Sequence, residues 1–420
     1  MDVLELADRL WRGEASTAQH HPVLAGGEIC EITDGVAFVP SFANVVAVAS
    51  DDGLLLVDTG SPFSAPSIFE QVRRWNTSRL NTAVFSHGHI DHVFGVGLFE
   101  DEAAQQRWRA PRVLAHEHLP ARFDRYVLTA GYNEVVNRRQ FGIDNLVWPR
   151  EYRYPDETYR DIHEFHVGDV AVHLRHEKGE TDDATVTWLP AQRVLCTGDL
   201  FVWSSPNAGN PQKVQRYPRE WAAALRRMAA LEPEYLLSGH GLPIVGAARV
   251  TQALEETAEY LESIVDQTLA LMNAGARLSQ VLESVTAPAH LAGRPFLQPV
   301  YDEPEFIVHN VWRLYGGWWD GNPATLKPAP ERHLASEVAT LAGGATRLAA
   351  RAEELAGAGT DEALRLAGHL IELAWLATPE DDAIQDARQR IFTQRAETAT
   401  STMARGVFTW AARESRGARF

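Results

Sequence analysis

From about Cys30 to Val245 the chain alternates short apolar runs with turn signals. Asn44–Ala49 and Leu54–Val57 flank Asp51-Asp52-Gly53 and read as two buried strands joined by a hairpin, because Asp-Gly between apolar runs favours a tight turn. Thr82–Phe85, Arg112–Ala115, Val170–Leu174, Arg193–Phe201 and Glu234–Ser238 have strand length and few polar residues. After Ala247 the period changes. Leu254, Ala258, Leu261, Val265 and Leu269 recur at three- and four-residue spacing, which predicts a helix over Thr251–Asn273. Ala287–Pro304 carries Pro and Gly and reads as a connector. Phe306–Trp312 reads as a core helix ending in the turn at Gly316-Gly317. From Glu331 the chain is rich in Ala, Leu, Glu and Arg, with helices expected at Leu348–Leu355, Glu362–Ala377, Asp382–Thr400 and Ser401–Arg413. These suggest stacked helical pairs without a clean repeat. The insert Ala121–Asp161, rich in Tyr, Arg and Asn, reads as a segment that covers a pocket. The expected organisation is an α/β domain over 1–250, a helical connector over 251–300 and an all-α domain over 301–420.

With 420 residues the chain is long enough for two or three domains. Its net charge of −17 argues against nucleic acid or an anionic membrane surface as partner. An anionic ligand would have to be recognised by local groups instead. The two cysteines, Cys30 and Cys196, indicate no disulfide framework. Met1–Gln19 contains no long apolar stretch, and no run is long enough to span a bilayer, so the cytoplasm is the expected compartment.

The densest chemistry lies in Phe85-Ser86-His87-Gly88-His89-Ile90-Asp91-His92. Three histidines and an aspartate follow directly on an apolar strand, and neutral imidazole and carboxylate are ligands that a zinc-like ion prefers. His87 and His89 could share one ion, while Asp91 and His92 reach a second, as a two-metal centre requires.

The pattern His-x-His-x-Asp-His resembles the signature of the metallo-β-lactamase fold superfamily. The resemblance implies a four-layer αββα sandwich with metals at one edge. It implies that Asp58, at a strand end, supports the metal loop from behind. Glu180 stands where the superfamily usually has a histidine ligand, with Asp182 and Asp183 as alternatives. Asp199 matches the aspartate that bridges both metals, and His240, in Gly-His-Gly, matches the last ligand. The implied set is His87, His89 and Glu180 on one ion, Asp91, His92 and His240 on the other, and Asp199 between. Two divalent ions, expected to be Zn2+, would act there, with Asp91 and His92 the expected catalytic residues.

The stretch Phe306–Pro323, with Trp312, Tyr315, Trp318 and Trp319, resembles the start of the dimerisation domain of metallo-β-lactamase-fold alkyl sulfatases. Leu341–Ala345, Thr129–Asn133 and Asn137–Arg139 continue that resemblance. It implies a homodimer formed through the C-terminal helices and hydrolysis of alkyl sulfate esters. Two departures leave lactone, thioester or β-lactam hydrolysis as alternatives, with a non-catalytic, metal-stabilised interaction protein further off. Asp199 stands where the better-known alkyl sulfatases carry glutamate. The lipid-carrier-like domain of longer alkyl sulfatases is expected to be absent. Asn207, Asn210, Lys213 and Arg216 directly follow the Asp199 strand and are the expected anion contacts, with Arg138 and Arg139 as second candidates. His116 and His118 read as pocket or structural residues. His20, His21, His163, His166, His173 and His176 read as ordinary surface or packing residues.

Overall fold

The computed structural model describes residues 2–24 and 26–415. The chain divides into two compact units, Met1–Ala130 with Pro149–Gly317, and Gly131–Trp148 with Trp318–Phe420.

The first unit holds two sheets. The seven-stranded sheet runs in chain order: β1 (Cys30–Thr33), β2 (Val36–Val39), β3 (Val45–Ser50), β4 (Gly53–Val57), β5 (Leu80–Val84), β6 (Arg112–His116) and β7 (Glu157–Tyr159). Its pairs are antiparallel up to β4 and parallel from β4 onward. The second sheet contains β8 (Ile162–Val167), β9 (Val170–Glu177), β10 (Ala184–Leu189), β11 (Val194–Val202), β12 (Tyr235–His240) and β13 (Ile244–Val245), with β13 at one edge and β8 at the other. Within it only β11 and β12 pair in parallel.

The continuous apolar runs are explained by burial of both faces. On β3, Val46 and Val48 face the core shared with the second sheet, whereas Val45 and Ala47 face the helices Ala65–Trp75, Val96–Gln106 and Leu119–Leu128. Leu55 and Val57 on β4 likewise oppose Leu54 and Leu56. The second sheet is covered by the helices Pro218–Ala229 and Ala247–Asn273, whose Trp221, Leu225, Leu254 and Leu261 are fully buried. The result is the expected four-layer αββα sandwich. The β3–β4 hairpin turns at Gly53, whose φ of 106° suits glycine and whose Cα lies too close to the Arg79 carbonyl to admit a side chain.

The division of the chain differs from the sequence expectation. The stretch 251–300 is not a separate connector, and the first unit extends through Gly317. Leu254, Leu261, Val265, Phe296, Ile307 and Val311 join the same buried cluster as Trp221, so the apolar faces of these helices complete the sandwich core.

In the second unit the helices Glu331–Ala342, Ala345–Gly357, Asp361–Ala377, Asp382–Thr398 and Thr402–Glu414 bury an alanine-rich core that includes Ala352, Ala367, Ile371, Ala374 and Ile391. Small residues let these helices approach closely. Residues 131–148 of the insert also belong to this unit, where Arg139 stacks on Trp410 and Asp144 pairs with Arg413. Arg388 is almost fully buried and donates to Glu372, the Ala411 carbonyl and Ser415 while lying over Trp375.

Leu261→Ala removes a fully buried side chain from the sandwich core. It should destabilise the first unit by about 2–5 kcal/mol, read from the shift of the denaturant midpoint with the slope unchanged.

Candidate metal centre

β4 and β5 pair in parallel and end side by side. The loop that leaves β5, Ser86–His92, therefore starts next to Asp58, the residue that follows β4. Asp58 has a positive φ of 61°, a strained conformation for a residue with a side chain. The surrounding bonds hold it there. Its backbone N–H donates to the Val84 carbonyl, and its carboxylate accepts from the Ser86 N–H, the Ser86 hydroxyl and His92 Nδ1, each at 2.7 Å.

β11 and β12, also parallel, bring Asp199 and His240 to the same edge. Gly239 lies so close to Asp199 that an added Cβ would meet the carboxylate at 2.4 Å. The short Gly-His-Gly strand end is thus a condition for the close approach of the two chains.

The structure brings together six of the seven ligands expected from the sequence in two groups, His87, His89 and Asp199, and Asp91, His92 and His240. Asp199 lies between them. Its Oδ2 is 3.4 Å from both His87 Nε2 and His240 Nε2, and its Oδ1 is 3.4 Å from His92 Nε2. Asp91 Oδ2 lies 3.3 Å from His240 Nε2. The seventh, Glu180, approaches His89 Nδ1 to 3.9 Å and accepts from Asn207 and Arg216. Asp182 and Asp183 are turned away. Both pair with the buried Arg122, and Asp183 also accepts the Gly88 N–H.

The histidine tautomers follow from their neighbours. Because the Ser86 hydroxyl donates to Asp58, it accepts from His87 Nδ1 at 3.0 Å. His92 Nδ1–H donates to Asp58, and His240 Nδ1–H to the Phe42 carbonyl. In its neutral form each ring therefore presents Nε2 as a lone pair to the centre, the arrangement that orients metal-binding histidines. His89 Nδ1 sits 2.8 Å from His87 Nε2, a separation that needs a shared proton or a cation. His92 Nε2 and Asp199 Oδ1 are buried and have no hydrogen-bond partner. Buried polar groups left unpaired in this way fit a cation among them.

Burial disfavours charge on His92, but the carboxylates of Asp199, Asp58 and Asp91 outweigh it and raise the ring to about 9. His240 is raised in the same way by Asp199 and Asp91. Burial raises Glu180 to about 8, against the pull of Arg216 and with Asp199 adding to the rise. Burial and the nearby Arg216 lower Lys213 to about 8.

In the segment after β11, Asn207 and Arg216 donate to Glu180, Lys213 lies near Asp91 and Glu180, and Asn210 is buried in the same loop. The loop is clamped by the helix Pro304–Gly316, since Asn310 bonds both the N–H and the carbonyl of Arg216. Arg138 and Arg139, the second anion candidates, are engaged elsewhere. Arg138 donates to the Leu146 carbonyl, and Arg139 lies over Trp410 within the second unit. Two further neighbours of the centre escaped the sequence reading. Tyr301 lies near Glu180, Asp91 and Asp199; burial and these carboxylates keep its hydroxyl protonated. It sits in the stretch taken for a connector. Arg122 holds the Asp182–Asp183 turn, and only its place in the fold reveals that role. Among the other histidines, burial and the neighbouring His176 and His118 lower His116 to about 4.

Residues 39–240 match the metallo-beta-lactamase superfamily, and residues 277–418 match the alkyl sulfatase dimerisation family. A linear primary-alkylsulfatase of Pseudomonas sp. is 28% identical over 71% of this chain and 60% of its own length. The alkyl/aryl-sulfatase BDS1 of Saccharomyces cerevisiae is 23% identical over 82% of this chain and 56% of its own. The chain thus spans little more than half the length of these relatives. The solved structure of a stereoselective inverting sec-alkylsulfatase from Pseudomonas sp. superimposes with a TM-score of 0.84 at 20% identity, covering 93% of this chain and 66% of that one.

Asp58→Asn keeps the size of the side chain but weakens its hold on His92. Metal affinity should fall ~10- to 100-fold with the fold retained, as measured by competition with a chelator. At pH 7 the metal-free His92 and Glu180 carry protons that ligation must displace. Zinc loading should therefore release protons near pH 7 and tighten as pH rises toward 9. Calorimetry in buffers of different ionisation heat measures both.

Proposed function

We propose that this chain, whose residues 39–240 match the metallo-beta-lactamase superfamily and 277–418 the alkyl sulfatase dimerisation family, is an alkyl-sulfatase-like dinuclear metal hydrolase that releases inorganic sulfate from alkyl sulfate esters. The observation that carries this reading is the convergence of four imidazoles with Asp91 and Asp199 at one sheet edge, where His92 Nε2 and Asp199 Oδ1 are buried without a hydrogen-bond partner, beside the buried Arg216.

His87, His89 and Glu180 would hold one ion and Asp91, His92 and His240 the other, with Asp199 between them. Zinc suits this set of imidazole and carboxylate donors. When bound, two such ions lower the pKa of a water toward neutrality and offset the charge of an anionic ester. Asp91 and His92 would stand at the reacting water, each held by the contacts that fix the loop. The carboxylates of Asp91, Glu180 and Asp199 would cancel much of the metal charge, so the excess needed for a sulfate monoester falls to Arg216 and Lys213. Lys213, at about 8, is mostly protonated at pH 7 and can donate to a sulfate oxygen. The Asn207 and Asn210 amides and the Tyr301 hydroxyl supply further donors. Arg216 serves twice, since it also fixes Glu180.

The second unit contains residues of the matched dimerisation family, and we assign a homodimer to it. Among the described residues no helix is long and apolar enough to cross a membrane.

Purified protein, zinc-loaded and chelator-stripped, should be offered short and long alkyl sulfates with sulfate release as readout. Zinc-dependent release supports the reading; no release from protein holding two metals per chain moves it to acyl or lactone substrates. His89→Ala should lose metal from one site and at least ~100-fold in turnover, and full activity in that variant would refute its place in the ligand set.

A further inference from the structure

His116, His118 and His176 lie outside the centre described above, yet one ring nitrogen from each lies within 4.8 Å of the others. They come from the end of β6, the turn that follows it, and β9. From these rings we infer a third metal site, a mononuclear three-histidine position for a divalent ion of the zinc class.

The argument rests on how the rings are held. His118 Nδ1 is 3.1 Å and His176 Nε2 is 3.0 Å from the same oxygen, the Asp182 carbonyl. A carbonyl only accepts, so both nitrogens carry hydrogen, and His118 Nε2 and His176 Nδ1 are left as lone pairs. His116 Nδ1 accepts the His118 backbone N–H in a long bond of 3.3 Å, so its lone pair is on Nδ1. The second nitrogen of His116 is then the donor in its hydrogen bond to the Arg160 backbone. All three rings are thus fixed through a backbone carbonyl, the outer contact that orients metal-binding histidines.

His116 and His176 stack at 3.6 Å with an interplanar angle of 5°, a contact that favours uncharged rings. Neutral imidazole is the ligating form, and three such ligands with no carboxylate select zinc, copper or nickel over calcium or magnesium. To converge on one ion the stacked pair must tilt, and the long His118–His116 bond is the contact that would yield. His118 is exposed, so the ion would have access from solvent and keep a position for water. The Asp182 carbonyl that holds two of the rings adjoins Asp183, which accepts from Gly88 in the metal loop. An ion here would brace the turn behind the dinuclear centre without joining it.

The test compares wild type with His118→Ala and His176→Gln, each stripped and then reloaded with Zn2+ in the presence of a weak chelator, followed by metal analysis. Co2+ loading supplies a visible spectrum of the same sites. The expected result is one equivalent fewer in each variant, with one component missing from the Co2+ spectrum and an unchanged melting temperature of the metal-free protein. His118 is exposed and makes no side-chain cap bond to its helix, so His118→Ala should fold even if His176→Gln does not. Equal metal content in wild type and His118→Ala overturns the inference, whatever the fate of the dinuclear centre.

Discussion

The Asp58 carboxylate is the contact on which the metal edge depends. It ties the end of β4 to the first residue of the Ser86–His92 loop and to its last, through two bonds to Ser86 and one to His92. Charge-assisted bonds of this kind contribute roughly 1.5–3 kcal/mol each, enough to hold Asp58 in a backbone conformation that costs about 1–3 kcal/mol. The same carboxylate sets the tautomer of His92 directly and that of His87 through the Ser86 hydroxyl. Geometry, protonation and strain thus share one origin.

Around that anchor the site is built from parallel strand pairs. β4–β5 and β11–β12 each end together at one edge, and they deliver two loops from different sheets to a common point. The approach of Gly239 to Asp199 shows how little room remains. His240 sits on β12 itself, whereas His87, His89 and His92 lie in the loop after β5 that the Asp58 bonds hold in place.

Electrostatics divides the molecule into an acidic whole and a cationic pocket. A net charge of −17 repels anions at long range, but Arg216 is buried and Lys213 half-buried beside the candidate metal centre, where screening by salt is weak. An anionic ester would be recognised only at close range. The proposed role of this pocket therefore rests on a few oriented donors rather than on the field of the whole chain.

The sequence by itself determined the two-layered β region, the histidine-rich loop after β5 and the strand-end position of His240, whereas Asp199, expected at a strand end, lies inside β11. Strand periodicity and ligand type are local properties, readable from neighbours along the chain. It also placed the later helices closely, since an apolar stripe at helical spacing specifies which face is buried. The tertiary structure decided the rest. The helix Ala247–Asn273 and the residues up to Gly317 became sandwich core rather than connector, because only packing shows which surface an apolar stripe covers. Glu180 rather than Asp182 or Asp183 faces His89, because Arg122, distant in sequence, claims both aspartates. Arg138 and Arg139 were taken up by contacts in the second unit, and Tyr301 entered the site from a stretch with no local signal. His176 joins the adjacent pair His116 and His118 from a strand of the other sheet, and no spacing along the chain could bring it there. Partners separated by tens of residues are chosen by the fold, after the local pattern has done its part.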